Sequence, residues 1–145
     1  MSVVATRAEI EALVPHGGAM CLWDEVASFD DARIAVRAFN HRDPTHPLRS
    51  GGRLRAVHLC EYGAQAMAVH GGLLARRGGG TAPPGMLVAL RDVTLHVTRI
   101  DDLAGALEGE AEALALSATG QQYAFRISHA GVLLAEGRAA VVLRG

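Results

Sequence analysis

Three polar side chains, His58, Glu61 and Gln65, interrupt the apolar stretch RAVHLCEYGAQAMAVHGGLLARR at residues 55–77. Their spacing, continued by Val69, is that of a single helix face. An isolated carboxylate among Ala, Met, Val and Leu side chains is costly to desolvate. Glu61 is therefore expected to be paired or protonated, and a protonated carboxyl is a proton donor. Upstream, the segment Asp43-Pro44-Thr45-His46-Pro47 carries His46 on a loop that two prolines stiffen. Histidine titrates near neutrality, so His46 and Glu61 together make an acid/base pair. A second reading stays open for each residue. Glu61 also suits a glutamate that bonds an arginine or a backbone amide and orders a dimer seam, and His46 also suits an ordinary surface-loop histidine.

The elements that must position this pair are legible from pattern. Thr6 with Glu9 three residues later is a capping box, predicting a short helix over 7–14 that Pro15 ends. A strand pair is predicted at 20–28 and 32–40, turning at Asp30-Asp31, followed by a long helix over 55–77. Its small residues, among them Ala56, Gly63, Ala64, Ala66, Ala68 and Gly71, suit a helix approached by a sheet on several sides, although Gly71 and Gly72 each cost roughly 1 kcal/mol relative to alanine. The run from Arg76 to Gly85 stops regular structure, and strands are expected at 86–99, 105–117, 121–129 and 131–144. In the first of these, Val93, Leu95 and Val97 share one face, the alternation of a half-buried strand. Gly131 can take positive φ in a hairpin turn before the last strand. The sum is an α+β arrangement, a sheet curled around one long helix, in a single domain spanning 1–145.

Composition narrows the class. With 145 residues, half of them apolar, the chain can bury a core without disulfides or metals. Its 14 basic groups, all arginine, are balanced by 15 acidic ones, which argues against a nucleic-acid binder. Cys21 and Cys60 stand apart in apolar surroundings, as thiols do in a reducing compartment, and the cytoplasm is expected. No export signal and no membrane span is read from the chain. Seven histidines invite a metal, but no His-Glu-x-x-His or Cys-x-x-Cys spacing occurs, so no metal site and no cofactor is expected. Gly78-Gly79-Gly80 lacks the Lys-Ser/Thr of a phosphate loop. His16 reads as a turn residue, and His70 and His96 as satisfied helix and strand histidines. His58, on the face of Glu61, either orients that acid or replaces His46 as base. Arg49, Arg53, Arg55, Arg76 and Arg77 flank the two ends of the long helix and suit either an acidic partner or solvated helix ends.

Residues 10–26, IEALVPHGGAMCLWDEV, resemble the helix, Pro-His turn and first strand of the hotdog-fold 3-hydroxyacyl-[acyl carrier protein] dehydratases. Glu61-Tyr62-Gly63-Ala64-Gln65-Ala66 resembles the Glu-x-x-x-Gln-Ala of their central helix, and the string through Met67 to Gly72 is similar to the dehydratases of aryl polyene biosynthetic clusters. The resemblance implies a hotdog fold and a dimer with sites at the subunit interface, possible higher assembly or a second dehydratase subunit, and an acyl carrier protein as partner. It implies elimination of water from a 3-hydroxyacyl thioester on a phosphopantetheine arm, in fatty-acid or aryl polyene biosynthesis. Carried over, the base falls on His46 and the acid on Glu61, from opposite subunits. The oxyanion amides fall on Ala56 and Val57, and the helical glutamine on Gln65. The family's usual His-Phe-Pro-Gly reads His46-Pro47-Leu48-Arg49 here, which implies a differently shaped entrance. Two rivals share the fold: a thioesterase whose helical carboxylate activates water, and a non-catalytic acyl-binding subunit.

Overall fold

The structure is a computed structural model describing residues 3–14, 20–80 and 85–143. In chain order the elements are β1 (Ala5–Thr6), α1 (Arg7–Leu13), β2 (Glu25–Phe29), β3 (Arg33–Ala38), a 3₁₀ turn (Ala56–His58), α2 (Leu59–Arg77), β4 (Gly85–Leu95), β5 (Leu107–Leu116), β6 (Gly120–His129) and β7 (Val132–Leu143). The strands form one antiparallel sheet in the order β1-β2-β3-β5-β6-β7-β4. The sheet curls so that β3, β5, β6 and β7 all touch α2.

Local chemistry sets the boundaries. The Thr6 hydroxyl and the Glu9 carboxylate each accept from the other's backbone N–H, the capping box read from sequence. Val14, which precedes Pro15, is extended, as the residue before a proline prefers. Pro15 and His16 lie outside the described residues, as do residues 81–84 of the Gly/Pro run. At the β2–β3 turn the Asp30 carboxylate accepts from the N–H groups of Ala32 and Arg33. Ala130 and Gly131 both take positive φ in the two-residue β6–β7 turn, the signature of the primed turns that match strand twist.

Two expected elements shorten, each for a visible reason. The strand pair expected at 20–28 and 32–40 loses its outer ends because side chains take over the backbone groups there: Gln65 accepts from the Leu22 N–H, Asn40 donates to the Leu22 carbonyl, and Asp24 accepts from the Phe39 N–H. The long helix becomes α-helical only at Leu59, because residues 54–56 are zipped to the chain at 98–100. The Ala56 N–H donates to the Thr98 carbonyl, and the Ile100 N–H to the Leu54 carbonyl.

Strand β4 departs most from expectation. It ends at Leu95, and Asp92 takes φ 53° within a bulge. Val93 and Leu95 are exposed rather than half-buried, and so are Met86, Leu87, Val88 and Leu90. As the terminal strand of the sheet it has a neighbour, β7, on one side only.

Aromatic rings and glycines lock the helix to the sheet. The Trp23 ring meets Tyr62 edge-on at 5.3 Å, its indole N–H donates to the Tyr62 carbonyl, and it lies over Gly109 on β5. Phe125 on β6 occupies the space left by Gly63 on α2 and Gly137 on β7. A Cβ at Gly63 would stand 2.5 Å from Phe125 Cδ1, whereas one at Gly71 meets only the far end of Gln121 at 3.9 Å. Further along α2, His70 is buried; the Tyr123 hydroxyl and the Asp30 carbonyl lie at its Nδ1 and Nε2. The orientation that satisfies all three atoms has Nε2–H donating to the carbonyl and the hydroxyl donating to Nδ1.

The glycines make opposite predictions from one helix. Gly71→Ala should gain about 0.5–1 kcal/mol from helix propensity. Gly63→Ala collects the same propensity but overpacks Phe125, at a cost of about 1–3 kcal/mol, so its net effect should be destabilising. Urea unfolding of the two variants checks this, and a Gly63→Ala protein more stable than Gly71→Ala would refute the packing account.

Candidate active site

Residues 39–55 cross from β3 to the start of α2 and carry His46 against the first turns of the helix. Asp43 starts the local fold: its carboxylate accepts from the Thr45 N–H and hydroxyl, and its carbonyl accepts from the His46 N–H. The Arg49 guanidinium fastens the far side, donating to the carbonyls of Asp43 and Gly52. The loop is thereby held by its own backbone, with Gly51 and Gly52 both at positive φ.

His46 is buried, at 6% exposure, rather than a surface-loop histidine. Its Nδ1 accepts from the Leu48 N–H at 3.1 Å, and its Nε2 lies 3.0 Å from the Tyr62 hydroxyl. That hydroxyl donates to Asn40 Oδ1 at 2.9 Å, and Asn40 Nδ2 donates to the Leu22 carbonyl. Burial first, and then the positive charge of Arg49, hold the His46 imidazolium below the ordinary histidine range. The ring is therefore neutral near pH 7, the form a base requires. Burial likewise raises Tyr62 well above the usual phenol range, keeping it a hydroxyl. Beside His46 opens a cleft of about 240 Å³ lined by Arg7, Asp24, Asn40, Asp43, Thr45 and Pro47.

Glu61 is half-buried on the first turn of α2. Gln65, one turn on, donates to its Oε1 at 3.3 Å. Gln65 also donates to the Met20 carbonyl and accepts from the Leu22 N–H, so this buried amide is committed to the protein and acts on Glu61 rather than on a ligand. Glu61 and Tyr62 are consecutive, hence about 100° apart around the helix axis. Within one chain His46 is thus held on the Tyr62 side of α2, while the Glu61 carboxylate points toward Gln65.

The two amides expected at the helix start separate. The Ala56 N–H is taken by Thr98, which removes it as a free donor. The Val57 N–H has no hydrogen-bond partner among the described residues, and its side chain is exposed. His58 is half-buried at the helix N-cap. Of the arginines, Arg76 pairs with Glu9, while Arg77 pairs with Asp31 and lies over the Phe29 ring. Arg53 and Arg55 are exposed with no ion pair among the described residues. Tyr62 and Asn40 were not singled out from sequence. A tyrosine beside the helical acid, on the buried side of the helix, was the available signal.

The ApeP-like family model, described as ApeP dehydratase, matches residues 8–144. The chain belongs to this dehydratase family. None of the curated proteins compared matches it. Among solved structures, it is similar to the dehydratase heterocomplex ApeI:P from Xenorhabdus doucetiae, at 22% identity over 94% of this chain and 91% of that one, with a TM-score of 0.85. It is also similar to zebra fish thioesterase superfamily member 2, at 18% identity, 97% and 99% coverage and a TM-score of 0.63. A third is AziG from S. sahachiroi, at 20% identity, 83% and 90% coverage and a TM-score of 0.59. The sheet wrapped around one helix is the hotdog fold these neighbours share, and the α+β class expected from sequence is borne out. Among the described residues no helix is long and apolar enough to cross a membrane.

The Gln65 clamp is testable by stability alone. Gln65→Leu leaves the Leu22 N–H and the Met20 carbonyl without their partners, at about 1–3 kcal/mol for a buried group left unsatisfied. The urea midpoint should fall accordingly at constant m-value, and an unchanged midpoint would show the clamp to be dispensable.

Proposed function

We propose that this dehydratase eliminates water from a 3-hydroxyacyl thioester carried on an acyl carrier protein, giving the trans-2-enoyl thioester, in aryl polyene or fatty-acid biosynthesis. The observation that supports the proposal is a buried neutral imidazole held against the first turns of α2, together with a carboxyl on the same turns oriented by Gln65. His46 takes the proton from C2, the C–O bond at C3 breaks, and Glu61 as the acid gives its proton to the departing hydroxyl. One C–H and one C–O bond are lost, a C=C bond forms, and water leaves. Charge accumulating on the thioester oxygen meets the Val57 N–H at the positive end of the helix. No metal or bound cofactor enters this scheme, since the thioester itself acidifies C2 and the phosphopantetheine arm comes with the substrate.

Because His46 is held on the Tyr62 side of α2 while the Glu61 carboxylate turns toward Gln65, about 100° away around the helix, the reading puts each active site between two chains, His46 from one and Glu61 from the other. Strand β4 supports an assembly: an eleven-residue edge strand with exposed apolar side chains is a template for pairing. We read the partner as a second copy or as a second dehydratase subunit, the latter because the Xenorhabdus neighbour is a heterocomplex. Arg53 and Arg55, without counter-ions among the described residues, supply the positive surface for an acidic carrier protein. Free Cys21 and Cys60 fit a reducing cytoplasm.

Glu61→Gln and His46→Gln should each lower dehydration of a 3-hydroxyacyl carrier substrate roughly 10²–10⁴-fold while the unfolding curve stays put. Turnover at the native rate in either variant would refute its assigned role. Following free thiol alongside the enoyl absorbance in the same assay separates this reading from a thioesterase, which releases thiol and no enoyl product. Reversing charge at Arg53 and Arg55 should raise KM for the carrier-borne substrate and leave a short thioester mimic unaffected. Equal effects on both substrates would remove the carrier-docking role.

A further inference from the structure

His46, Tyr62 and Asn40 form a chain whose direction is set from both ends. At one end the Leu48 backbone N–H can only donate, so His46 Nδ1 must be an unprotonated acceptor. The neutral ring then carries its proton on Nε2, 3.0 Å from the Tyr62 oxygen. At the other end the Leu22 carbonyl can only accept, which turns Asn40 so that Nδ2 faces it and Oδ1 faces Tyr62. Tyr62 must therefore donate to Asn40 and accept from His46. The two independent anchors agree, and no other assignment of protons satisfies every atom. Tyr62 is fully buried and held by Trp23 through its carbonyl and its ring, so its hydroxyl has little freedom to turn elsewhere.

We infer that Tyr62 and Asn40 are positioning residues for the dehydration, which hold His46 as the Nε2–H tautomer with Nδ1 its unprotonated nitrogen. The inference rests on His46 being the base. In the step itself His46 takes the proton from C2, and the imidazolium so formed keeps its Nε2–H on the Tyr62 oxygen. A hydrogen bond accepted from an imidazolium is stronger than one accepted from the neutral ring, so the Tyr62–Asn40 pair stabilises the protonated form that develops during reaction. The other groups facing His46 are Arg49, Asp43, His58 and His41. Arg49, His58 and His41 disfavour its charge and Asp43 favours it, and all remain in place when Tyr62 or Asn40 is changed.

The test combines a spectroscopic and a kinetic readout on the full-length protein. Long-range proton–nitrogen correlation on ¹⁵N-histidine-labelled protein should report His46 as the Nε2–H tautomer at neutral pH. An Nδ1–H signature overturns the inference whatever the enzyme's activity. Tyr62→Phe and the near-isosteric Asn40→Leu, assayed on a 3-hydroxyacyl N-acetylcysteamine thioester, should lower kcat on the order of 10–100-fold with KM little changed. In both, loss of the acceptor chain lowers the His46 pKa, so the acidic limb of the kcat profile should move to lower pH. General damage to the fold would reduce amplitude without moving that limb. Native kcat and an unmoved limb in both variants would overturn the positioning role while His46→Gln, run beside them and inactive, leaves the base assignment standing. Activity surviving in His46→Gln instead removes the base assignment and this inference together.

Discussion

A phenol buried from every side must satisfy its hydroxyl inside the protein, and in this fold the solution found for Tyr62 organises much of what surrounds it. Its carbonyl receives the Trp23 indole, its ring receives the edge of Trp23, and its hydroxyl links His46 to Asn40. Trp23 is placed by Gly109, which leaves room for the indole on β5. The central helix, the entry to β2 and the loop after β3 are thus tied at one residue. Burial keeps the hydroxyl protonated, so it stays able to donate as well as accept.

The same helix turn shows how a small domain combines a rigid frame with reactive groups. Glu61 and Tyr62 are neighbours in sequence but face different surroundings, one half-buried beside Gln65 and the other sealed in the core. Gln65 spends its whole amide on the 20–22 segment and on Glu61, and Arg49 spends its guanidinium on loop carbonyls. Residues of this kind supply order: their hydrogen bonds to the protein fix where Glu61 and His46 sit.

Much of this was visible in the chain before folding. The Thr6–Glu9 capping box, the Asp30-Asp31 turn and the turn at Ala130-Gly131 are local patterns, and each appears where expected; the order of strands in the sheet is not local, and the strand expected to lead a consecutive set of four, β4, pairs instead with β7 at the far edge. The elements that were misjudged are those where distant groups intervened. The α-helix starts at 59 rather than 55 because Arg55 is extended beside the chain at 98–100 and 56–58 form a 3₁₀ turn, and the bond from the Ala56 N–H to Thr98 removes Ala56 from the expected pair of amide donors. Strand β4 looked half-buried from its alternation, yet side chains on both its faces are exposed, because α2 packs on β3, β5, β6 and β7 and not on this terminal strand. Arg76 and Arg77 read as suiting an acidic partner or a solvated helix end, and acidic residues of this chain, from α1 and the β2–β3 turn, pair with them.

Residue type and short-range spacing determined the class of fold, the presence of an acid on a mostly apolar helix and a histidine on a proline-braced loop, because these follow from periodicity and from side-chain chemistry alone. Only the tertiary structure decided that His46 is buried, which of its nitrogens holds the proton, and that Gln65 faces the protein. Those properties depend on contacts between residues far apart in sequence, such as His46 with Tyr62, 16 positions on, and Gln65 with Leu22, 43 positions back. Hydrogen-bond direction is a property of a closed network, and a network closes only when the chain does.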